Sequence, residues 1–450
     1  MEVEERLKEI LDLIQIPSSK AIRGNITLVS EIGEAKIGWK SSNPHIISDK
    51  DEGKKKAGVV IRTDQDVDVI LKATVSIGEK SISKDIKVRV VKNSPAIKPE
   101  DYEAYLFGHF IGEAAENEEQ IYFALSEDGL NFRDLSYDKP VLTSNVGEKG
   151  VRDPYIYRSY EGDRFFLIAT DLSIYNRGGW FQNEQGYYDA STTGSHNLVV
   201  WESTDLLNWS EPRLLHVAPE NAGMAWAPEI IYDEETGEYI VFFSSSIMNP
   251  ETGYKSKPNA IYYVTTRDFV SCSEPMLFID NQSDGTDDGK KREIIDTTLI
   301  KIGEWYYSAS KDGDNSEKGG GIRILKTKEL RNPAGWEKVL DLDELGLNID
   351  GCAVTALDNS MLEGPELFLY NKKDWSNPSV PEYGIMADQY AVGAGYLPLV
   401  TTDFEDRDNS NNSWRLLKKD NYSFDRLKKR HGTICSITRE EYIRLKKAFE

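Results

Sequence analysis

Only three cysteines, Cys272, Cys352 and Cys435, occur in 450 residues, and no two of them form a C-x-x-C pair. That spacing suggests neither a thiolate zinc site nor a disulfide framework, and an odd count leaves at least one thiol without a partner in the chain. Histidine is nearly as scarce, at five. His45, His109, His196 and His216 lack metal-like spacing and read as structural or surface residues. Positive charge is in deficit, with 54 Lys and Arg against 76 Asp and Glu for a net charge of −22. The two signs are interspersed and no basic stripe forms, which argues against a nucleic-acid partner, and the acidic surface repels anionic lipid. No apolar run reaches the roughly 20 residues that cross a bilayer. The opening MEVEERLKEILDLI lacks the cationic-then-apolar plan of a secretory signal, so export with a leader removed and a cytoplasmic location both stay open. A neutral ligand feels little of such a field and is the favoured partner. Nothing indicates the oligomeric state.

Aromatic residues are abundant: 23 Tyr, 15 Phe and 9 Trp in a chain that is 39% hydrophobic and 29% charged. This composition belongs to a packed globular protein. The length is about three times the usual domain size and predicts a large domain with a smaller companion. Leu7, Ile10, Leu11 and Ile14 stand at helical spacing. Val67, Val69, Leu71, Ala73, Val75 and Ile77 alternate, as do Ile86, Val88 and Val90, the period of half-buried strands. Trp39 reads as a core anchor. We therefore expect residues 1–97 to be an immunoglobulin-like β-sandwich with a short N-terminal helix, NSPAIKP (93–99) to be a linker, and residues 98–450 to be a second domain. The phrases ITLVS, WKSSNPHIIS and LKATVSIG resemble bacterial immunoglobulin-like modules attached to secreted sugar-active enzymes.

Beyond residue 100 a strand ending in Ser/Thr-x-Asp/Glu recurs five times: Ser126/Asp128, Ser203/Asp205, Thr266/Asp268, Thr327/Glu329 and Thr401/Asp403. The spacing, roughly 60 to 80 residues, holds four strands and their loops and predicts propeller blades. The dipeptide itself reads as a turn device in which short side chains bond local backbone. A second series runs in phase, where a polar residue opens an apolar strand: RDPYIYR at Asp153, WAPEIIYD at Trp226, IDTTLIKI at Asp296, EGPELFLY at Glu363 and RHGTICSI at His431. The last has no strand after it, whereas the strands from Tyr105 to Ser126 have no opener before them. These pieces complete one another, which predicts an all-β, five-bladed propeller closed by residues 432–437 beside 105–126.

Strand openings in a propeller face one axial pocket. Three carboxylic acids there repel one another, so at least one titrates late and becomes a proton donor. Cleavage of a glycosidic bond uses that equipment, an acid for the leaving oxygen and a carboxylate for water or carbon. On the phrases VRDPYIY, AWAPEIIYD, IDTTLI, EGPELF and RHGTICSITREEY, residues 101–450 resemble the catalytic domain of glycoside hydrolase family 43, whose members act on arabinose- and xylose-containing glycans. The resemblance implies a five-bladed propeller, inversion of configuration, Asp153 as base, Asp296 as the carboxylate that tunes and orients the acid, and Glu363 as the acid. Each also has a structural reading: Asp153 shaping the chain before Pro154, Asp296 capping a turn with Thr297 and Thr298, Glu363 as a loop acid before Gly364.

Trp226 is a candidate to stack on a sugar or to wall the pocket, against a plain core tryptophan. Glu229, Arg152 and Gln389 are further substrate-binding candidates, against readings as neighbours or solvated surface. His431 stands either beside an axial calcium, as the resemblance implies, or as a hydrogen-bonded histidine without metal. No cofactor is required by the chemistry. SDGTDDGKKRE (283–293) lacks EF-hand spacing and reads as a loop. The activity expected is exo-hydrolysis of α-L-arabinofuranosyl groups from arabinoxylan, arabinan or their oligosaccharides, with the loop 174–197 shaping the pocket. The alternatives are a β-xylosidase, a retaining invertase-like enzyme, and a sugar-binding propeller without catalysis.

Overall fold

The structure, a computed structural model, describes residues 2–137, 139–184, 186–280, 293–313, 321–347, 362–390 and 393–449. Cys352 and nearly all of the acidic loop at 283–293 lie outside the described residues.

The helix Glu2–Leu13 carries Leu7 and Ile10 on one face, and they pack with Ile14, Ala73 and Val75. Its support is a four-stranded antiparallel sheet of Glu31–Ile32, Ala35–Ser41, Val67–Ile77 and Lys80–Val90, paired in that order. The alternation read in the sequence is the reason for its two faces: Val69, Leu71, Ala73 and Val75 are fully buried, while Asp68, Ile70 and Lys72 face outward. The helix covers half of the buried face. Ile16, Ile22, Ile26, Ile46 and Ile47 cover the other half, from chain tied by the isolated bridges Ile22–Val90 and Ile47–Val60. The second layer of this immunoglobulin-like module is therefore thin. Residues 42–61 hold Pro44 and a run of charges without alternation, so they cannot build a long ladder. Trp39 contacts both apolar clusters and its indole N–H donates to the Val29 carbonyl at 2.8 Å.

Five further four-stranded sheets make the propeller. The first four blades begin with the inner strands Val151–Arg158, Trp226–Asp233, Glu293–Ile302 and Glu363–Leu369, each followed outward by the next three strands in sequence. The fifth takes its inner strand Gly432–Thr438 from near the C-terminal end and its outer strands Tyr102–His109, Tyr122–Ser126 and Arg133–Asp134 from the start of the domain. Gly432 pairs with His109 and Ile437 with Ala104, so one ladder joins the two ends and closes the ring, as the incomplete fifth repeat anticipated. A final helix, Arg439–Phe449, packs beside this seam, and Glu441 there forms a bidentate pair with Arg158 at 2.8 Å on each oxygen.

The Ser/Thr-x-Asp phrases are turns. Ser126 Oγ accepts from the Asp128 and Gly129 amides while Asp128 Oδ1 accepts from Leu130 and Asn131, and Ser203/Asp205 and Thr266/Asp268 repeat the pattern. They join third to fourth strands, so all lie on the face where inner strands end. The N-terminal module docks on that same face. Asp163, in the turn after the first inner strand, receives Arg23 at 2.8 Å, Arg62 at 2.7 Å and Ser94 at 2.7 Å, and Arg267 reaches the Ile26 and Ala57 carbonyls at 3.1 and 2.7 Å.

At the closing ladder, a Cβ on Gly432 would lie 2.1 Å from the Gly108 carbonyl oxygen. Gly432→Ala is expected to lower stability by about 1–3 kcal/mol, the usual cost of overpacking, because backbone and not a flexible side chain must yield. Urea denaturation followed by tryptophan fluorescence measures this, and an unchanged midpoint would contradict the tight seam.

Candidate active site

The inner strands do not open as straight ladders. Pairing with the second strand slips between Arg152 and Tyr155, Trp226 and Glu229, Ile295 and Thr298, and Glu363 and Glu366. At the centre of each slip one residue takes positive φ: Asp153 (50°), Ala227 (47°), Asp296 (51°) and Gly364 (50°). Left-handed geometry at non-glycine residues is costly and concentrates at functional sites, and a bulge re-aims the side chain it carries. This register corrects the equivalence read from the sequence. Asp153 and Asp296 occupy the bulged position, whereas Trp226 and Glu363 stand one residue earlier, beside Arg152 and Ile295, and His431 precedes an inner strand that pairs without a slip at its opening. Polar character at a strand opening was common to all five, but the bulge separates them.

Asp153, Asp296, Glu363 and His431 nonetheless meet. Asp153 Oδ1 lies 3.3 Å from His431 Nδ1, and its Oδ2 accepts from Thr170 Oγ1 at 2.8 Å. Thr170 Oγ1 in turn accepts from the Ala227 amide. Asp296 Oδ2 accepts from the Gly364 amide at 3.2 Å, and its own amide donates to Ser244 Oγ at 3.1 Å. The His431 ring lies against Gly364 so closely that a Cβ there would sit 2.7 Å from Cγ of the imidazole. That ring stands between the Asp153 carboxylate and the Glu363 strand.

Their environments divide the carboxyls. Burial pushes Asp153 upward, but the hydrogen bond and charge of His431, with Arg152 and Thr170, outweigh it and hold the group below the ordinary aspartate range. Burial raises Asp296. Burial followed by the charges of Asp296 and Asp388 pushes Glu363 up to about 7, against Arg430 and Lys311. His431 is driven the other way: burial disfavours its charge, yet Asp153 and Asp296 hold the imidazolium to about 9.

Arg430 organises the rim, with Nε on Asp388 at 2.6 Å, Nη2 on Glu363 at 3.2 Å and Nη1 on Glu113 at 3.4 Å. Arg152 is buried and pairs with Glu113 at 3.1 Å and Glu119 at 2.9 Å. Glu119 also accepts from the Ile174 and Tyr175 amides and anchors the loop that follows. Arg152 is thus committed to protein carboxylates. Glu229 is buried deeper, accepts from the Leu299 amide at 3.3 Å and faces Glu366, which accepts from Thr433 Oγ1 and the Ile434 amide. Gln389 is buried and donates to the Gly395 carbonyl at 3.2 Å, just ahead of the strand Tyr396–Thr401. Trp226 is half-buried against Leu172, Ile174 and Ala190, with Trp180 edge-on at 6.3 Å. Sequence reading missed Arg430, Glu113, Asp388 and Glu366. Glu366 had a signal, since it holds in EGPE the place of Glu229 in WAPE. Glu113 had none. Among the described residues no group of three His, Cys, Asp or Glu side chains suits a metal ion, and His431 spends Nδ1 on Asp153. That donor set does not fit a calcium held by protein ligands.

A five-bladed propeller with an acidic axial funnel of this kind defines a class of carbohydrate-active proteins. Residues 100–443 match the family described as a probable glycosyl hydrolase domain, related to glycoside hydrolase family 43, and the chain belongs to that family. Residues 6–93 match the atrophied bacterial Ig domain, in keeping with the thin second layer. An α-L-arabinofuranosidase of Bifidobacterium longum is 31% identical over 401 residues, which are 80% of this chain and 35% of that protein, so the chain spans about a third of its relative. Among solved structures, an endo-1,4-β-xylanase of Bacteroides thetaiotaomicron shares 14% identity at a TM-score of 0.43, covering 67% of this chain and 86% of that one. An α-L-arabinofuranosidase of Lactobacillus brevis shares 15% at 0.38, covering 66% and 92%.

The elevated Glu363 carboxyl makes stability depend on pH. The folded state holds this proton more tightly than the unfolded chain, so its contribution is greatest below about pH 4.5 and is lost as pH rises to about 7. Glu363→Gln removes the buried charge and is expected to raise the melting temperature relative to wild type more at pH 8 than at pH 5. Scanning calorimetry at both values checks this; an equal difference at the two would show that Glu363 titrates normally.

Proposed function

We propose that this chain is an inverting, exo-acting glycoside hydrolase that releases α-L-arabinofuranosyl groups from arabinoxylan, arabinan or their oligosaccharides. One observation carries the reading: three carboxyls on three inner strands converge, with Asp153 held ionised and Glu363 held protonated up to about pH 7. The arabinofuranosyl specificity draws support from the name of the Bifidobacterium relative.

In this mechanism Asp153 accepts a proton from the water that attacks the anomeric carbon. Glu363 gives its proton to the glycosidic oxygen as the carbon–oxygen bond breaks. Asp296, bonded to the Gly364 amide, disfavours premature ionisation of Glu363, and Arg430 at 3.2 Å receives the carboxylate once the proton has left. Inversion needs carboxyls about 6.5–9.5 Å apart to admit the attacking water. We assign His431 to keeping Asp153 ionised, Arg152, Glu229 and Gln389 to positioning, and Trp226 to the pocket wall. No step passes through a metal.

Asp153→Asn and Glu363→Gln are each expected to lower kcat by about 10²–10⁴ on a substrate with a poor leaving group, with circular dichroism unchanged. Near-normal turnover in either would remove that residue from its role. Proton NMR of the first product is expected to show the anomer opposite to the substrate; retention would sink the inverting route. Wild-type kcat/KM should fall above about pH 7, where Glu363 ionises, and a plateau extending to pH 9 would contradict its role as acid.

A further inference from the structure

In the first, second and fourth blades the described residues joining second to third strands carry exposed aromatic rings on the funnel face, Tyr254 of the second at 50% exposure. In the first blade, residues 174–190 present Trp180, Phe181, Tyr187 and Tyr188 at 38–59% exposure; in the fourth, Tyr390 is 40% exposed. Such rings on a monomeric surface gather where something binds. These are not loosely held. Trp180 meets Tyr188 edge-to-face at 5.2 Å, rests edge-on against Trp226 at 6.3 Å, and lies 5.5 Å beneath the Arg152 guanidinium. Tyr390 lies 5.2 Å from Lys311 Nζ. The Tyr390 phenol is raised by burial and then by the Glu363 carboxylate and the Tyr188 phenol, which face it. Lys311 Nζ donates to the Leu362 carbonyl at 2.8 Å, which sets Tyr390 next to Glu363, and Trp180 reaches Glu363 from the other side through Arg152, Glu113 and Arg430.

We infer that Tyr390, Tyr188 and Trp180 form the subsite for the leaving group, and that its occupant is an uncharged pyranose. This rests on the hydrolase reading, because the group whose oxygen Glu363 protonates must stand next to Glu363. Broad aromatic faces complement the flat C–H face of a pyranose with equatorial hydroxyls. Charge selects against a uronic acid. Glu113, Glu363 and Asp189 surround this subsite, and Arg152, Arg430 and Arg177 are already paired with them at 3.1–3.4 Å. A second carboxylate would enter beside carboxylates whose arginines are already engaged.

The test compares kcat/KM on an arabinosylated xylo-oligosaccharide with kcat/KM on α-L-arabinofuranosyl fluoride, whose leaving group fills no subsite. Tyr390→Ala and Trp180→Ala are expected to lower the ratio of the two at least tenfold, chiefly through KM of the oligosaccharide. Tyr160→Ala, an exposed ring in the turn after the first inner strand and so on the opposite face, serves as control. A smaller fall in both variants overturns the inference. Calorimetric titration with xylotriose alone gives a readout independent of turnover: binding by wild type that both variants lose supports the subsite. Unchanged binding in the variants, or equal binding of a glucuronic acid-bearing chain, overturns it. A wild type that binds xylotriose through these rings but cleaves neither glycoside would sink the hydrolase reading and leave the subsite standing.

Discussion

The site depends on a backbone constraint repeated around the axis. Four inner strands break from extended geometry at the same position, and in two of them the residue held at positive φ is the aspartate that meets His431 or the Gly364 amide. A regular strand would point alternate side chains into neighbouring blades. The slip of register turns one residue of each strand toward the axis, and the two second-strand side chains that support these bulges, Thr170 and Ser244, bond across to the next blade. Closure of the ring then fixes the distances among groups that are remote in sequence.

Within this frame, identical chemical groups acquire different protonation by neighbours alone. Asp153 has a cationic ring within 3.3 Å and stays ionised; Glu363 faces Asp296 and Asp388 and keeps its proton to about pH 7. Deeper on the axis Glu229 and Glu366 face each other and are both raised, first by burial. The funnel thus concentrates buried carboxyls in a chain already at −22. Such a cluster costs stability, which the aromatic and aliphatic packing between blades offsets.

The two faces of the propeller have separate duties. Turns capped by Ser/Thr-x-Asp and the contacts of Asp163 and Arg267 with the N-terminal module occupy the face where inner strands end. The long connections carrying Glu113, Trp180 and Tyr390 occupy the other. Arg430, with Asp388, Glu363 and Glu113 on its three nitrogens, ties Glu363 to the mouth, so variation in those connections alters what surrounds the site without moving the strands that build it.

Periodicity made much of this legible. The alternation of residues 67–77, the five turn phrases and the unfinished fifth repeat are local patterns, and they determined the module, the blade count and the closing strand. The motif phrases likewise carried Asp153, Asp296, Glu363 and His431. The register at the openings was not legible, since RDP, WAP, IDT and EGP all set a polar residue near a strand start and only paired strands reveal which residue is bulged. Neither were Arg430's partnership with Asp388 and Glu113, nor the packing of Trp180 on Arg152 beside that cluster. Short-range pattern determines strands and turns because it is written in neighbouring residues; protonation and contact across the axis are decided by distances that exist only after the ring has closed.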